Sequence, residues 1–157
     1  MELKPKSYRI IRFQDCDPMG HLNNSRYLDY FMNAREDHLA AYYNLNIYAR
    51  LKETGKSWVV AKNDIIYKDP AWLMEKVLIQ TQVNNYSIKH IEVEMVMYNE
   101  LESKLKALLR TVFIPFDVKT NKAVEHDQKM MTLLKEISIP DITKNIEKRV
   151  LELQGML

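Results

Sequence analysis

Ten consecutive residues, Asp15 to Asn24, hold two aspartates, the only cysteine, a proline, a glycine, a histidine and an asparagine pair, within the stretch "RFQDCDPMGHLNNSRYLDYFMNARED". Four kinds of chemistry use such residues: calcium coordination, phosphoryl transfer on an aspartate, thiol attack, and a carboxylate set against a helix start. For calcium, Asp15, Asp17 and Gly20 stand at the first, third and sixth places of an EF-hand loop. The fifth place is Met19, and the twelfth, which must supply a bidentate carboxylate, is Arg26, so a cation there would meet a guanidinium. An aspartyl nucleophile would follow a buried parallel strand, normally a continuous apolar run, whereas "YRIIRFQ" is broken by Arg9, Arg12 and Gln14. A thiolate at Cys16 would lie between Asp15 and Asp17, whose charge raises its pKa and lowers its reactivity. Metal binding by Asp15, Cys16, Asp17 and His21 finds no second ligand cluster downstream.

The fourth reading makes fewer demands. Pro18 and Gly20 let the chain turn sharply, and the first amides of the helix that follows are unpaired donors with a favourable dipole. A carbonyl polarised there can be attacked by an aspartate, or by water that the aspartate activates. That is acyl-transfer chemistry without serine or metal.

The elements around the loop must hold it. Residues 8 to 13, "YRIIRF", read as a short first strand. From Asn24 onward Tyr27, Phe31, Ala34 and His38 fall on one helical stripe, widened by Leu28, Met32, Leu39 and Tyr42, with Asn23 or Asn24 as cap. Tyr42 to Tyr48 read as a fraying connection that ends near Gly55. Trp58 to Tyr67 then alternate as a strand of about ten residues, stopped by Pro70. Val77 to Val83 and Ile91 to Met97 alternate as two antiparallel strands, with "NNYS" as their turn.

The segment from Leu101 to Val112 is ambiguous, because its leucines have helical spacing while "LLRTVFIPF" has strand composition; its first half favours helix. Residues 125 to 137, and those after Pro140 and Asp141, read as two surface helices. The whole predicts an α+β domain in which an antiparallel sheet wraps one central helix, with a sheet edge left to pair in a homodimer.

Bulk properties narrow the function. A chain of 157 residues fits one domain, with residues 118–157 as a C-terminal helical extension. With 46% apolar and 28% charged residues it has a globular composition. No apolar run spans a membrane and "MELKPKSYRI" lacks a signal-peptide block, so a cytoplasmic location is expected, in keeping with a single cysteine. A net charge of +2 provides no field for nucleic acid, and only three glycines leave no phosphate-cradling loop.

The run "DCDPMGHLNNSRYLDY" resembles the signature of hotdog-fold acyl-CoA thioesterases of the 4-hydroxybenzoyl-CoA thioesterase-like family, both in its "DxDxxG" opening and in its "GHxNNxxYLxY" form. The resemblance covers the order of elements from Tyr8 to Phe116. It implies a sheet of about five strands wrapped around the long helix, so that residues 101 to 116 become strand, and dimers or tetramers with acyl-CoA bound between subunits. It further implies Asp17 as nucleophile or general base, with the amides near Asn23 and Asn24 polarising the thioester carbonyl. Gly20, His21, Asn23 and Asn24 then shape the turn, and Tyr27 lies beside the site. Asp15 reads as a turn-stabilising carboxylate bonded to nearby amides.

No cofactor or metal is expected beyond the coenzyme A of the substrate. For that group Lys62, Lys68, Lys89 and His90 offer cations, and Ser57, Asn63 and Ser87 offer polar contacts to pantetheine or water. After "IIYKDPAW" the family commonly carries a Gly-Asp pair, where "MEKV" stands here, so an altered loop is expected. Two further readings remain open at this level: hydrolysis of an ester carried on acyl carrier protein, and a non-enzymatic acyl-CoA-binding module.

Overall fold

The structure, a computed structural model, describes residues 1–156. In chain order it contains β1 (Lys6–Ile10), α1 (Tyr27–Tyr43), α2 (Ile47–Thr54), β2 (Lys56–Tyr67), β3 (Lys76–Ser87), β4 (His90–Asn99), β5 (Leu105–Asp117), β6 (Lys122–Ala123), α3 (Gln128–Ile137) and α4 (Ile146–Leu153). The strands form one antiparallel sheet in the order β1-β3-β4-β5-β2, with the short β6 also paired to β5. Its inner face wraps α1: Tyr27, Phe31 and Ala34 pack against Ile79 of β3, Met95 of β4 and Leu109 of β5. This is the hotdog arrangement that the loop motif implies.

The outer face is covered as well. Val96 and Leu108 lie under Ile146 and Val150 of α4, and Glu94, fully buried, joins Arg110 to Arg149 of that helix, both at 2.9 Å. Helix α3 contributes Met130, Leu134 and Ile137 to the inner core, so it is less a surface helix than its sequence suggests.

Four local expectations change. The helix start is a 3-10 turn over Asn24–Arg26, and α1 proper begins at Tyr27. The expected connection after Tyr43 contains a second helix, because Asn44 ends α1 in the left-handed region and the Asn46 carboxamide caps α2 by accepting from the Tyr48 and Ala49 amides. "NNYS" is strand rather than turn: β3 runs to Ser87, with an irregularity between Val83 and Asn85, and Ser87 pairs with His90 across a two-residue loop. Residues 105 to 117 form strand along their whole length, against the local helical spacing.

Strand β2 has twelve residues and shifts register between Val60 and Lys62, so the residues facing inward change phase at Ala61. In the "MEKV" turn Met74 takes the left-handed φ of 66°, which glycine adopts freely, and the Glu75 carboxylate accepts from the Trp72 amide at 3.0 Å.

Candidate active site

The loop between β1 and α1 closes on itself through Asp17. The Asp17 carboxylate accepts from the Met19 amide at 2.9 Å and from the His21 amide at 3.4 Å, as an aspartate-initiated turn does. Its other oxygen lies 2.8 Å from His21 Nδ1, and its side chain keeps 18% of its surface exposed. Gly20 has a φ of +85° with open space where a Cβ would stand, so the turn needs glycine for conformation rather than for room. The Asp17 amide donates to the His21 carbonyl at 2.9 Å, which draws the two ends of the loop together.

Asp15 does a different job. Its carboxylate accepts from the Tyr30 hydroxyl at 2.7 Å, so its partner is a phenol on α1 rather than the nearby amides expected. Burial, followed by that bond to Asp15, pushes the Tyr30 hydroxyl up to about 12. The Cys16 thiol donates to the Arg12 carbonyl at 3.3 Å, and burial, then Asp17 and Asp15, raise its pKa.

The helix start is divided between its two asparagines. The Asn23 amide donates to the Asp15 carbonyl at 2.9 Å, and the Asn23 carboxamide caps the 3-10 turn by accepting from the Ser25 amide at 3.0 Å. The Asn24 amide has no acceptor among the described residues. Of the two candidate donors it is therefore the one free to bond a ligand.

Residues that the sequence did not single out support the loop from below. The Leu22 amide donates to the Ala71 carbonyl at 2.7 Å, and Trp72 sets its ring edge-on to His21 at 5.3 Å. That segment is anchored by the buried Lys106, whose ammonium reaches Asp69 at 2.7 Å, the Pro70 carbonyl at 2.8 Å and Glu75 at 3.1 Å. Burial alone would raise the Asp69 pKa, but Lys106 and Lys104 outweigh it and hold the carboxyl below its usual range. Tyr27 packs edge-on against Tyr67 at 5.0 Å, and the Tyr67 hydroxyl donates to the Asn24 carbonyl at 3.1 Å. Only "KDPAW" hinted at this support, as a strand end rich in turn residues.

The coenzyme A candidates are not gathered around Asp17 within one chain. Lys62 and Asn63 lie midway along β2, where Asn63 accepts from the Thr111 hydroxyl at 2.7 Å. Asn63 is four residues from Tyr67, about 13 Å along an extended strand. Ser87 and Lys89 form the β3–β4 hairpin tip, where the Ser87 hydroxyl pairs with His90 Nδ1 at 2.6 Å and accepts the Lys89 amide. Strand β3 starts beside the Asp17 loop and its supporting segment, so that tip lies at the far end of the sheet, roughly 35 Å away along the strand. Lys68 follows β2 directly and its amide bonds the Lys106 carbonyl.

Comparison with known proteins agrees with this fold. A curated relative, the long-chain acyl-CoA thioesterase FadM of Escherichia coli, is 27% identical over 127 residues, 81% of this chain and 94% of its own. The crystal structure of the probable thioesterase YbaW from Escherichia coli is 26% identical with a TM-score of 0.72, over 84% of this chain and 97% of that one. A DHNA-CoA thioesterase from Staphylococcus aureus, 21% identical, shares the fold with a TM-score of 0.75 over 98% of this chain and 96% of its own. With Asp17, the free Asn24 amide, helix α1 and strands β2 to β6 all inside residues 11–134, the span matched by the model of the thioesterase-like superfamily, the chain belongs to that superfamily.

Proposed function

We propose that this chain hydrolyses acyl-CoA thioesters to a carboxylic acid and coenzyme A, with Asp17 as the reacting carboxylate. The observation that carries the reading is the Asp17 carboxylate, held by its own loop but part exposed, beside a helix start whose Asn24 amide is free. The Asn24 amide and the dipole behind it stabilise the oxyanion that forms when the thioester carbonyl is attacked. If Asp17 acts as base, it takes a proton from water as the water oxygen bonds the carbonyl carbon. The tetrahedral intermediate then expels the thiolate, which receives that proton. If Asp17 attacks directly, the C–S bond breaks and the thiolate leaves as a mixed anhydride forms; water then opens the anhydride to the acid and a regenerated Asp17, and the proton that water gives up goes to the thiolate. In either route His21 orients the carboxylate through Nδ1.

The acting unit is a homodimer in this reading. Strand β2 is an unpaired edge, and its Val59 and Val60 are 42% and 47% exposed, which suits pairing with a second copy. Such pairing is what would bring Lys62, Asn63, Ser87 or Lys89 of another subunit toward coenzyme A. The free cysteine suits the cytoplasm, and no helix among the described residues is long and apolar enough to cross a membrane.

The test is a panel of CoA esters from acetyl to long-chain and aromatic, each followed by release of free thiol, with carrier-protein esters in parallel. Saturable hydrolysis of at least one CoA ester supports the reading. Binding without turnover across the panel contradicts it, and turnover confined to carrier-protein esters replaces the substrate class.

A further inference from the structure

Among the described residues three lysine or arginine side chains are buried, and two of them are paired with carboxylates. Lys106 holds Asp69 and Glu75, and Arg110 holds Glu94. Arg35, 6% exposed on the inner side of α1, has no carboxylate partner among the described residues. Its hydrogen-bond acceptor is the Thr81 hydroxyl, at a long 3.3 Å, and the Tyr43 ring lies 6.0 Å from its guanidinium carbon. Leaving a buried guanidinium unpaired is unfavourable, because water is lost and nothing of opposite charge replaces it. Burial pushes Arg35 down to about 10, with Tyr43 opposing, so it remains a cation at neutral pH.

Arg35 also lines an apolar cleft beside α1. That cleft has a volume of about 300 Å³ and is walled by Met32, Leu39, Trp58, Phe113 and Leu134 among others. The volume suits a small organic ligand. Among the described residues the carboxylate on its lining is that of Glu36, which is bonded by the Tyr48 hydroxyl, 2.9 Å from each oxygen. The cleft does not include the Asp17 loop: Arg35 lies eight residues beyond Tyr27, about 12 Å along the helix. An apolar chamber with one uncompensated cation is complementary to an apolar chain that ends in an anion, and a planar guanidinium matches a carboxylate.

We propose that this cleft is a binding site for an apolar chain bearing a carboxylate, seated with its charge on Arg35. The carboxylate has two possible sources, a free fatty acid or the far end of an acyl group that carries a second acid function.

Calorimetry of the wild-type protein with decanoate and with 1-decanol tests the site. Decanoate binds at least about tenfold more tightly, the value of one charge-assisted hydrogen bond. In Arg35→Met that preference disappears while the melting temperature holds or rises, since an unpaired buried charge has been removed. Equal affinity for acid and alcohol in the wild type, which needs no variant, overturns the proposal; so does a preference that survives Arg35→Met. A second arm compares kcat/KM for decanoyl-CoA and its ω-carboxylated counterpart. A preference for the latter that Arg35→Met abolishes assigns the carboxylate to the acyl group. Equal values beside tight decanoate binding assign it to the free acid. Only this arm rests on the proposed hydrolysis, so failure of that reading leaves the calorimetric result intact.

Discussion

Replacing Lys106 with methionine isolates the support beneath the loop. The ammonium of Lys106 is 5% exposed and neutralises Asp69 and Glu75, each 21% exposed, while bonding the Pro70 carbonyl at 2.8 Å. Removing it leaves two carboxylates facing each other, with only the exposed Lys104, 3.1 Å from Asp69, as compensation. Breaking a buried pair costs about 3–5 kcal/mol, and the partial exposure of both acids argues for the lower end, about 3 kcal/mol. At about 2 kcal/mol per molar urea, the unfolding midpoint falls by about 1.5 M at neutral pH and fixed protein concentration. The loss depends on pH in a defined direction. The folded-state pKa of Asp69 is held down, so its contribution is present above the unfolded value, about 3.9, and disappears as pH falls through the folded one. The gap between Lys106→Met and wild type should therefore narrow below about pH 4. Equal midpoints at neutral pH, or a gap of the same width in acid, would refute the reasoning. Because Ala71 and Trp72 ride on this anchor, thioesterase activity should fall with stability.

Three further outcomes follow from the same geometry. Gly20→Ala meets no steric obstacle but forces a side chain into a φ of +85°, which costs about 1–2 kcal/mol and lowers the melting temperature by several degrees in thermal unfolding. Asn23→Ala removes the acceptor for the Ser25 amide, at about 1 kcal/mol in chemical denaturation, and lowers kcat by loosening the Asn24 amide. His38, buried between Thr81 and Ser7 at 2.8 Å each, has its pKa pushed down to about 4 by burial and then by Arg35 and Arg9. The folded state thus binds fewer protons than the unfolded one between about pH 6.5 and 4, and the wild type loses about 3 kcal/mol across that range. His38→Gln should flatten that slope in urea midpoints measured against pH.

What could be read in the sequence depended on how each element is buried. Strand β4 was plain, because Ile91, Val93, Met95 and Met97 face the core while Glu92 and Glu94 alternate with them. Strand β5 was not: Ala107 and Leu109 pack on α1, Leu105 and Leu108 pack under α4, and a strand covered on both faces loses the two-residue period. The family motif resolved what the local pattern left ambiguous. Helix α2 was missed although Asn46 and Gly55 mark its ends, because its residues are all at least partly exposed and give no apolar stripe. "NNYS" carries turn residues into a strand, where the Asn84 carboxamide reaches Glu94 at 3.3 Å on the sheet's outer side, a long-range partner that no local pattern contains. In the site, the motif marked Asp17, Gly20, His21 and the asparagines, since they bond within a few residues of one another. Lys106 and Trp72 escaped notice because their roles depend on the sheet bringing distant segments beneath the loop.

The most direct test of the proposed chemistry is kcat/KM of Asp17→Asn on the best CoA ester of the panel. Asparagine keeps the size of the side chain and an oxygen for the Met19 amide, so the loop should fold unchanged. Loss of the carboxylate should lower kcat/KM by about 10³-fold, within the usual worth of a positioned base, at an unaltered melting temperature. A rate within a few-fold of wild type in a folded Asp17→Asn protein would contradict the assignment of Asp17 as the reacting carboxylate.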